Sequence, residues 1–180
     1  MMMRLDREFY RQDAVLLAKS LLGKIICVHQ KGVIRRCRII ETEAYGGITD
    51  KAAHSYNNRK TARTEVMYRD GGYIYVYLIY GIYYLFNIVA NIEGVPEAVL
   101  IRGAESLDNE KPRLDGPGKL TKSMGIDKNH NGLDLVKSRN IYLIDDGYIC
   151  KEIISAKRIN IDYAGEDKER LWRFFIKKTK

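Results

Sequence analysis

The sequence predicts an α+β fold: a single mixed domain over residues 1–180, with a curved, mainly antiparallel sheet, short helices and a protruding β-hairpin. Three observations carry this expectation. Apolar runs of strand length recur along the chain and are separated by turns that contain glycine. Helical periodicity is confined to short stretches. The length suits one domain, and neither a linker nor an internal repeat interrupts it.

Taken in order, Asp13 is placed to cap a helix over residues 14–22, with Val15, Leu17, Ala18, Leu21 and Leu22 as its apolar stripe and Gly23 as its stop. Strands are expected at 24–30 and 33–44, joined by a turn at Lys31-Gly32. Residues 46–59 are small and polar and read as loop with one helical turn. A short helix follows at 64–68, ended by Gly71-Gly72. Residues 71–87 hold six of the thirteen tyrosines, which makes this stretch the chain's aromatic centre. Tyr73, Tyr75 and Tyr77 alternate with Ile74, Val76 and Leu78, the period of a strand with two unlike faces. Tyr80 breaks that parity and Gly81 follows, so a hairpin turn with an aromatic ring at its tip is expected. Residues 98–102 read as a buried strand, 109–119 as a surface loop and 120–124 as a short helix. Strands at 140–144 and 149–154 are expected to flank a turn at Asp145-Asp146-Gly147. The stretch 168–180 is basic and carries Trp172, Phe174 and Phe175.

Lys and Arg exceed Asp and Glu by 31 to 23, a net charge of +8 that favours a polyanionic partner. Cys27, Cys37 and Cys150 are odd in number and scattered, which implies no disulfide framework and fits a reducing compartment. His29, His54 and His130 have no metal-ligand spacing, so no metal site is expected. No apolar run reaches membrane-spanning length, and residues 1–12 lack the apolar core of a signal peptide. The expected location is the cytoplasm, in association with the nucleoid, and the expected state is a monomer.

Glu41, Glu43 and Tyr45 would share one face of a regular strand. A carboxylate among apolar and aromatic groups gains proton affinity and suits a general base. Spacing alone favours solvated strand-end acids, or acids paired with Arg36 or Arg38, over that base. Arg102 ends an apolar run and must find an anion, and Asn87 sits among apolar neighbours that leave it needing hydrogen-bond partners. His54 stands alone in its segment. The run Gly116-Pro117-Gly118-Lys119-Leu120 reads as a turn into a helix whose amides and lysine could meet a phosphate, or as a plain surface turn.

Together these segments resemble a known family. Glu41-Thr42-Glu43-Ala44-Tyr45-Gly46-Gly47, then Asp50, then Ala52-Ala53-His54-Ser55 are similar to the signature of the alkyladenine (3-methyladenine) DNA glycosylases, the monofunctional methylpurine-DNA glycosylases. So are Tyr75-Val76-Tyr77, Tyr80-Gly81, Asn87, Leu100-Ile101-Arg102 and the glycine-rich run at 116–120, and the resemblance extends over residues 5–176. It implies a bacterial-type DNA repair enzyme, without cofactor or metal. Such an enzyme approaches duplex DNA from the minor groove and flips out an alkylated or deaminated purine. It then hydrolyses the N-glycosidic bond and leaves an abasic site. By this resemblance Glu43 activates water and Arg102 helps hold it, while Tyr45, Ala52, His54, Tyr77 and Asn87 form the base pocket. Tyr80 fills the gap left in the duplex, and Gly118 and Lys119 meet the DNA backbone. Leu85-Phe86-Asn87 stands where Cys-Met-Asn is usual, a change expected at the pocket wall. Thr64, Asp70 and Asn160 replace an asparagine, a proline and a glycine, changes expected to touch loops and packing rather than chemistry. Two other classes remain compatible with parts of the pattern: a non-catalytic nucleic-acid-binding domain, and a carbohydrate hydrolase that uses Glu41 and Glu43.

Overall fold

The computed structural model describes residues 2–108 and 113–177. Its centre is one antiparallel sheet of β1 (Met3–Arg4), β2 (Ile25–Gln30), β3 (Val33–Tyr45), β4 (Ile74–Ile79), β5 (Tyr83–Ala90), β6 (Glu97–Ser106), β7 (Leu114–Asp115), β8 (Ile141–Asp145), β9 (Ile153–Ala156) and β10 (Arg173–Ile176). The main path runs β1-β8-β2-β3-β6-β5-β4. Three short α-helices accompany it, α1 (Arg7–Tyr10), α2 (Ala14–Ser20) and α3 (Pro117–Met124), together with several 3-10 turns. The α+β class expected from the sequence is therefore the class observed. Among the described residues no helix is long and apolar enough to cross a membrane.

The alternation read in the tyrosine segment sorts side chains between two faces. Ile74, Val76, Phe86 and Ile88 enter the main core with Leu17 of α2, Leu21 just after it, and Leu120 and Met124 of α3. Tyr75 and Val89 join Val66, Met67 and Ala98 in a second cluster on the opposite face, with Tyr77 packed against it. Asp13 caps α2 by accepting from the Val15 and Leu16 amides, and Thr42 Oγ1 of β3 donates to the Ala18 carbonyl at 2.8 Å. These bonds fasten the helix beneath the middle of β3.

β3 organises the sheet. Its first half pairs with β2, its second half pairs with β10 along that same edge, and β6 takes the other edge. Two compensating bulges interrupt the β3–β6 ladder: the register steps from Ile39↔Ala104 to Glu41↔Gly103 and then to Thr42↔Ile101. Ile40 and Arg102 are the residues passed over. Bulges re-aim the side chains they carry, and this pair sits where the candidate acids lie.

The structure corrects the expected hairpin around residues 145–147. β8 forms, but its two edges are taken by β2 and β1, so no edge is left for a following strand. Asp145 and Asp146 are also tied to Lys24 and Arg38. The chain instead runs on to β9, which starts at Ile153 and pairs with β10. The helix expected at 120–124 starts earlier, because Pro117 takes its first turn with a φ already suited to a helix. Of the loop expected at 109–119, residues 109–112 lie outside the described residues, while Leu114–Asp115 pairs with β6. β1, α1 and β10 are elements that sequence patterning did not mark.

Candidate active site

Glu43 lies on β3 just past the bulges and is wholly buried. Its Oε1 accepts from the Ile159 amide at 2.8 Å and its Oε2 accepts from the Tyr45 hydroxyl at 2.9 Å. The bulge at Arg102 carries the guanidinium between two acids, with Nε 3.4 Å from Glu41 and 3.6 Å from Glu43. Arg173 of β10 donates to the same Glu41 oxygen at 3.0 Å. Burial raises the proton affinity of Glu43, opposed by Arg102, the Ile159 amide, the Tyr45 hydroxyl and Arg158. The result is a carboxylate held in a fixed orientation and more basic than one in water. Each oxygen keeps a second acceptor site beyond these bonds. Arg36 and Arg38 do not serve these acids, since they pair with Asp108 and Asp146.

A cleft of about 700 Å³ opens in front of this group, lined on its inner side by Tyr45, Ala52, His54, Tyr77, Asn87 and Arg102. Glu43 is not on the wall itself but directly behind it, touching Tyr45, Ile159 and Arg102, all of which are. The His54 ring stands edge-on to Tyr77 with centroids 4.6 Å apart, and its Nδ1 lies 2.9 Å from the Tyr75 hydroxyl. Burial, with Arg63 and Arg59 adding to it, lowers the His54 pKa to about 4, so the ring is neutral at neutral pH. Burial also keeps the Tyr77 and Tyr45 phenols protonated. Asn87 is buried, and its Nδ2 donates to the carbonyls of Tyr75 and Leu85.

The β4–β5 hairpin forms one lip of the cleft. Tyr80 is 77% exposed at its tip and has a φ of +53°, and Gly81 beside it has +67°. Ile82 N closes the turn on the Ile79 carbonyl at 3.1 Å. A positive φ suits glycine but strains a tyrosine, and such strain gathers at functional sites. Leu78, Ile82 and Tyr83 are exposed around Tyr80, so the tip is an apolar prow on a basic protein. Gly118 of α3 lies against the Tyr83 ring so closely that a Cβ there would come within 2.7 Å of it. Gly118 and Lys119 both line the cleft, and Lys119 is exposed.

The structure thus brings Tyr45, Ala52, His54, Tyr77, Tyr80, Asn87, Arg102, Gly118 and Lys119 to one cleft, with Glu43 directly behind its wall. Leu85 is on the wall as expected, while Phe86 points into the main core. Asn160 departs from expectation: it lines the cleft and adopts a φ of +58°, so its replacement of glycine bears on the site and not only on packing. Thr64 and Asp70 do act locally. Thr64 bonds to Thr61 and the Arg59 carbonyl, and Asp70 pairs with Arg11. Sequence reading missed Arg158, which is buried and grips Asp50 with two bonds of 2.6 and 2.9 Å while lying over the Tyr45 and Trp172 rings. It also missed the Ile159 amide on Glu43, and Arg63 and Tyr163 on the cleft wall. Position alone hides these, for Ile159 is 116 residues from its partner.

Comparison with known proteins shows the family. The family model described as methylpurine-DNA glycosylase (MPG) matches residues 8–180. A Clostridium novyi protein named "Putative 3-methyladenine DNA glycosylase" is 50% identical over 99% of this chain and 98% of its own length. Proteins of the same name from Natranaerobius thermophilus and Borrelia garinii are 48% and 45% identical, over 97% and 98% of the chain and 96% and 97% of their own lengths. The deep carboxylate, the aromatic cleft and the tyrosine-tipped hairpin therefore stand in a chain that belongs to the methylpurine-DNA glycosylase family.

Proposed function

We propose that this protein removes alkylated and deaminated purines from duplex DNA by hydrolysing the N-glycosidic bond, as the opening step of base excision repair. The observation that carries the proposal is a fully buried, oriented carboxylate, Glu43, immediately behind an aromatic cleft whose lip is the exposed Tyr80. A base inside a duplex is out of reach until it leaves the stack, which costs a few kcal/mol. Lys119 and the Gly118 amide hold the backbone, and Tyr80 enters from the minor groove to occupy the vacated space. The extruded purine lies among Tyr45, His54 and Tyr77, over Ala52 and Asn87. Neutral His54 adds no charge to that wall.

Glu43 then takes a proton from a water placed beside Arg102 while the sugar passes through an oxocarbenium-like state. The guanidinium steadies the carboxylate and the water; a cationic alkylpurine departs neutral with the bonding electron pair, and a neutral base such as hypoxanthine departs with a proton taken from solvent. Among the described residues the one lysine lining the cleft is Lys119, here assigned to the DNA backbone, which leaves none to form a Schiff base with the sugar. The product is accordingly an abasic site in an unbroken strand. The protein acts as a monomer in the cytoplasm, on the nucleoid.

The deciding experiment measures base release from a duplex oligonucleotide with one hypoxanthine or ethenoadenine, and from methylated genomic DNA, for the wild type and Glu43→Gln. The expected result is release by the wild type alone, with strand breakage only after alkali. Intact DNA binding with no release from any substrate would instead mark a binding domain.

A further inference from the structure

The cleft carries a charge that the reaction does not use. Arg63, in the segment between the loop at 46–59 and β4, places its guanidinium carbon over the Tyr77 ring, 5.2 Å from the centroid. It lines the cleft. It also lines a neighbouring hollow of about 740 Å³, shared with Lys51 and Arg59 and with no acidic side chain on its wall. Glu41 and Glu43 are answered by Arg102 and Arg173, and Asp115, the acid that lines the cleft, pairs with Arg113. The groups that face Arg63 are the Tyr77 ring, the Tyr75 hydroxyl and His54, and His54 is kept neutral first by burial and then by Arg63 and Arg59.

A purine alkylated at N3 or N7 bears a positive charge in DNA, whereas hypoxanthine and ethenoadenine are neutral at pH 7. An aromatic face attracts one cation well. Once Arg63 holds the Tyr77 ring, a second cation on that ring gains less and meets a like charge across a partly desolvated gap. A neutral base suffers no such penalty and keeps its full stacking. Cationic bases are released anyway because they are good leaving groups, so binding selectivity against them leaves them as substrates.

We propose that Arg63 is a charge-selecting residue: its guanidinium on the Tyr77 ring disfavours cationic N-alkylated purines and tilts the cleft toward neutral damaged purines. This rests on the reading that the cleft receives the extruded base. Arg63 is exposed, so replacing it leaves the core untouched.

The test compares single-turnover release of 7-methylguanine and of hypoxanthine from otherwise identical duplexes, for the wild type, Arg63→Met, Arg63→Lys and Arg59→Met. Removing the charge should move the ratio of the two rates toward 7-methylguanine by about ten-fold in Arg63→Met. Arg63→Lys, which keeps a cation, should stay near the wild-type ratio. Arg59→Met reports the effect of losing a nearby cation that does not cover Tyr77, and its ratio should move less. An Arg63→Met protein whose two rates fall together, with the ratio fixed, would show that Arg63 grips the DNA backbone and would overturn the proposal. So would a shift toward hypoxanthine. A wild type that releases neither base would remove the glycosylase reading, and the Arg63 proposal with it.

Discussion

At the scale of single residues, the proposed mechanism rests on Glu43 behind a pocket walled in part by His54, and the proton affinities of these two side chains move in opposite directions. Burial raises that of Glu43. Its ionised form is therefore less favoured folded than unfolded, which costs stability above the raised value and costs nothing below the unfolded one. Glu43→Gln should abolish catalysis, with a loss of about 100- to 10,000-fold. It should also stabilise the fold at neutral pH by about 1 kcal/mol, a gain that fades in acid and that thermal melts across pH would read. Base release by the wild type should fall, as pH drops, at a value above the usual carboxylate range. His54 behaves in the reverse sense. Its pKa falls from 6.5 to about 4 on folding, so the unfolded chain binds the extra proton between those values and stability drops as pH falls through that window. In His54→Gln this part of the acid-side decline should be missing. The residues themselves were legible in sequence, because a carboxylate and an arginine inside apolar strands demand partners. The partners were not, because the bulges that aim Arg102 arise from register between strands and leave no trace in either strand alone.

At the scale of elements, the tyrosine hairpin was readable because its alternation is local and its two faces meet different surroundings. The strand expected at 149–154 was misplaced because edge occupancy is a property of the whole sheet. Tyr80 holds a left-handed backbone at a cost of about 1–2 kcal/mol. Tyr80→Gly should therefore melt at the same temperature or slightly higher. It should release bases from well-paired duplexes at least about ten-fold more slowly, with a smaller loss on single strands, where no gap needs filling. A melt clearly below the wild type would contradict the strain. Arg158 joins the end of β3 to the Asp50 turn and to the carbonyl of Asp167. Arg158→Met strands a buried Asp50 and should cost about 3–5 kcal/mol in denaturant unfolding.

Across the whole molecule, the +8 charge makes DNA affinity depend steeply on salt. If Lys119 meets one phosphate, Lys119→Met should reduce the slope of log affinity against log salt by about one, alike for damaged and undamaged duplexes. An unchanged slope would remove that contact. The way β3 is shared has a consequence for how the protein comes into being. Synthesis runs from the N-terminus, and β2 and β6 can join β3, with the tyrosine hairpin added on β6, before the residues of β9 and β10 have left the ribosome. Arg158, the Ile159 amide and β10 arrive last, and until they do the second half of β3 has a bare edge and Glu43 lacks the amide that orients it. A nascent chain can thus own Tyr80 and Glu43 without the contacts that aim the carboxylate, and the site is assembled only once residues 158–176 have emerged.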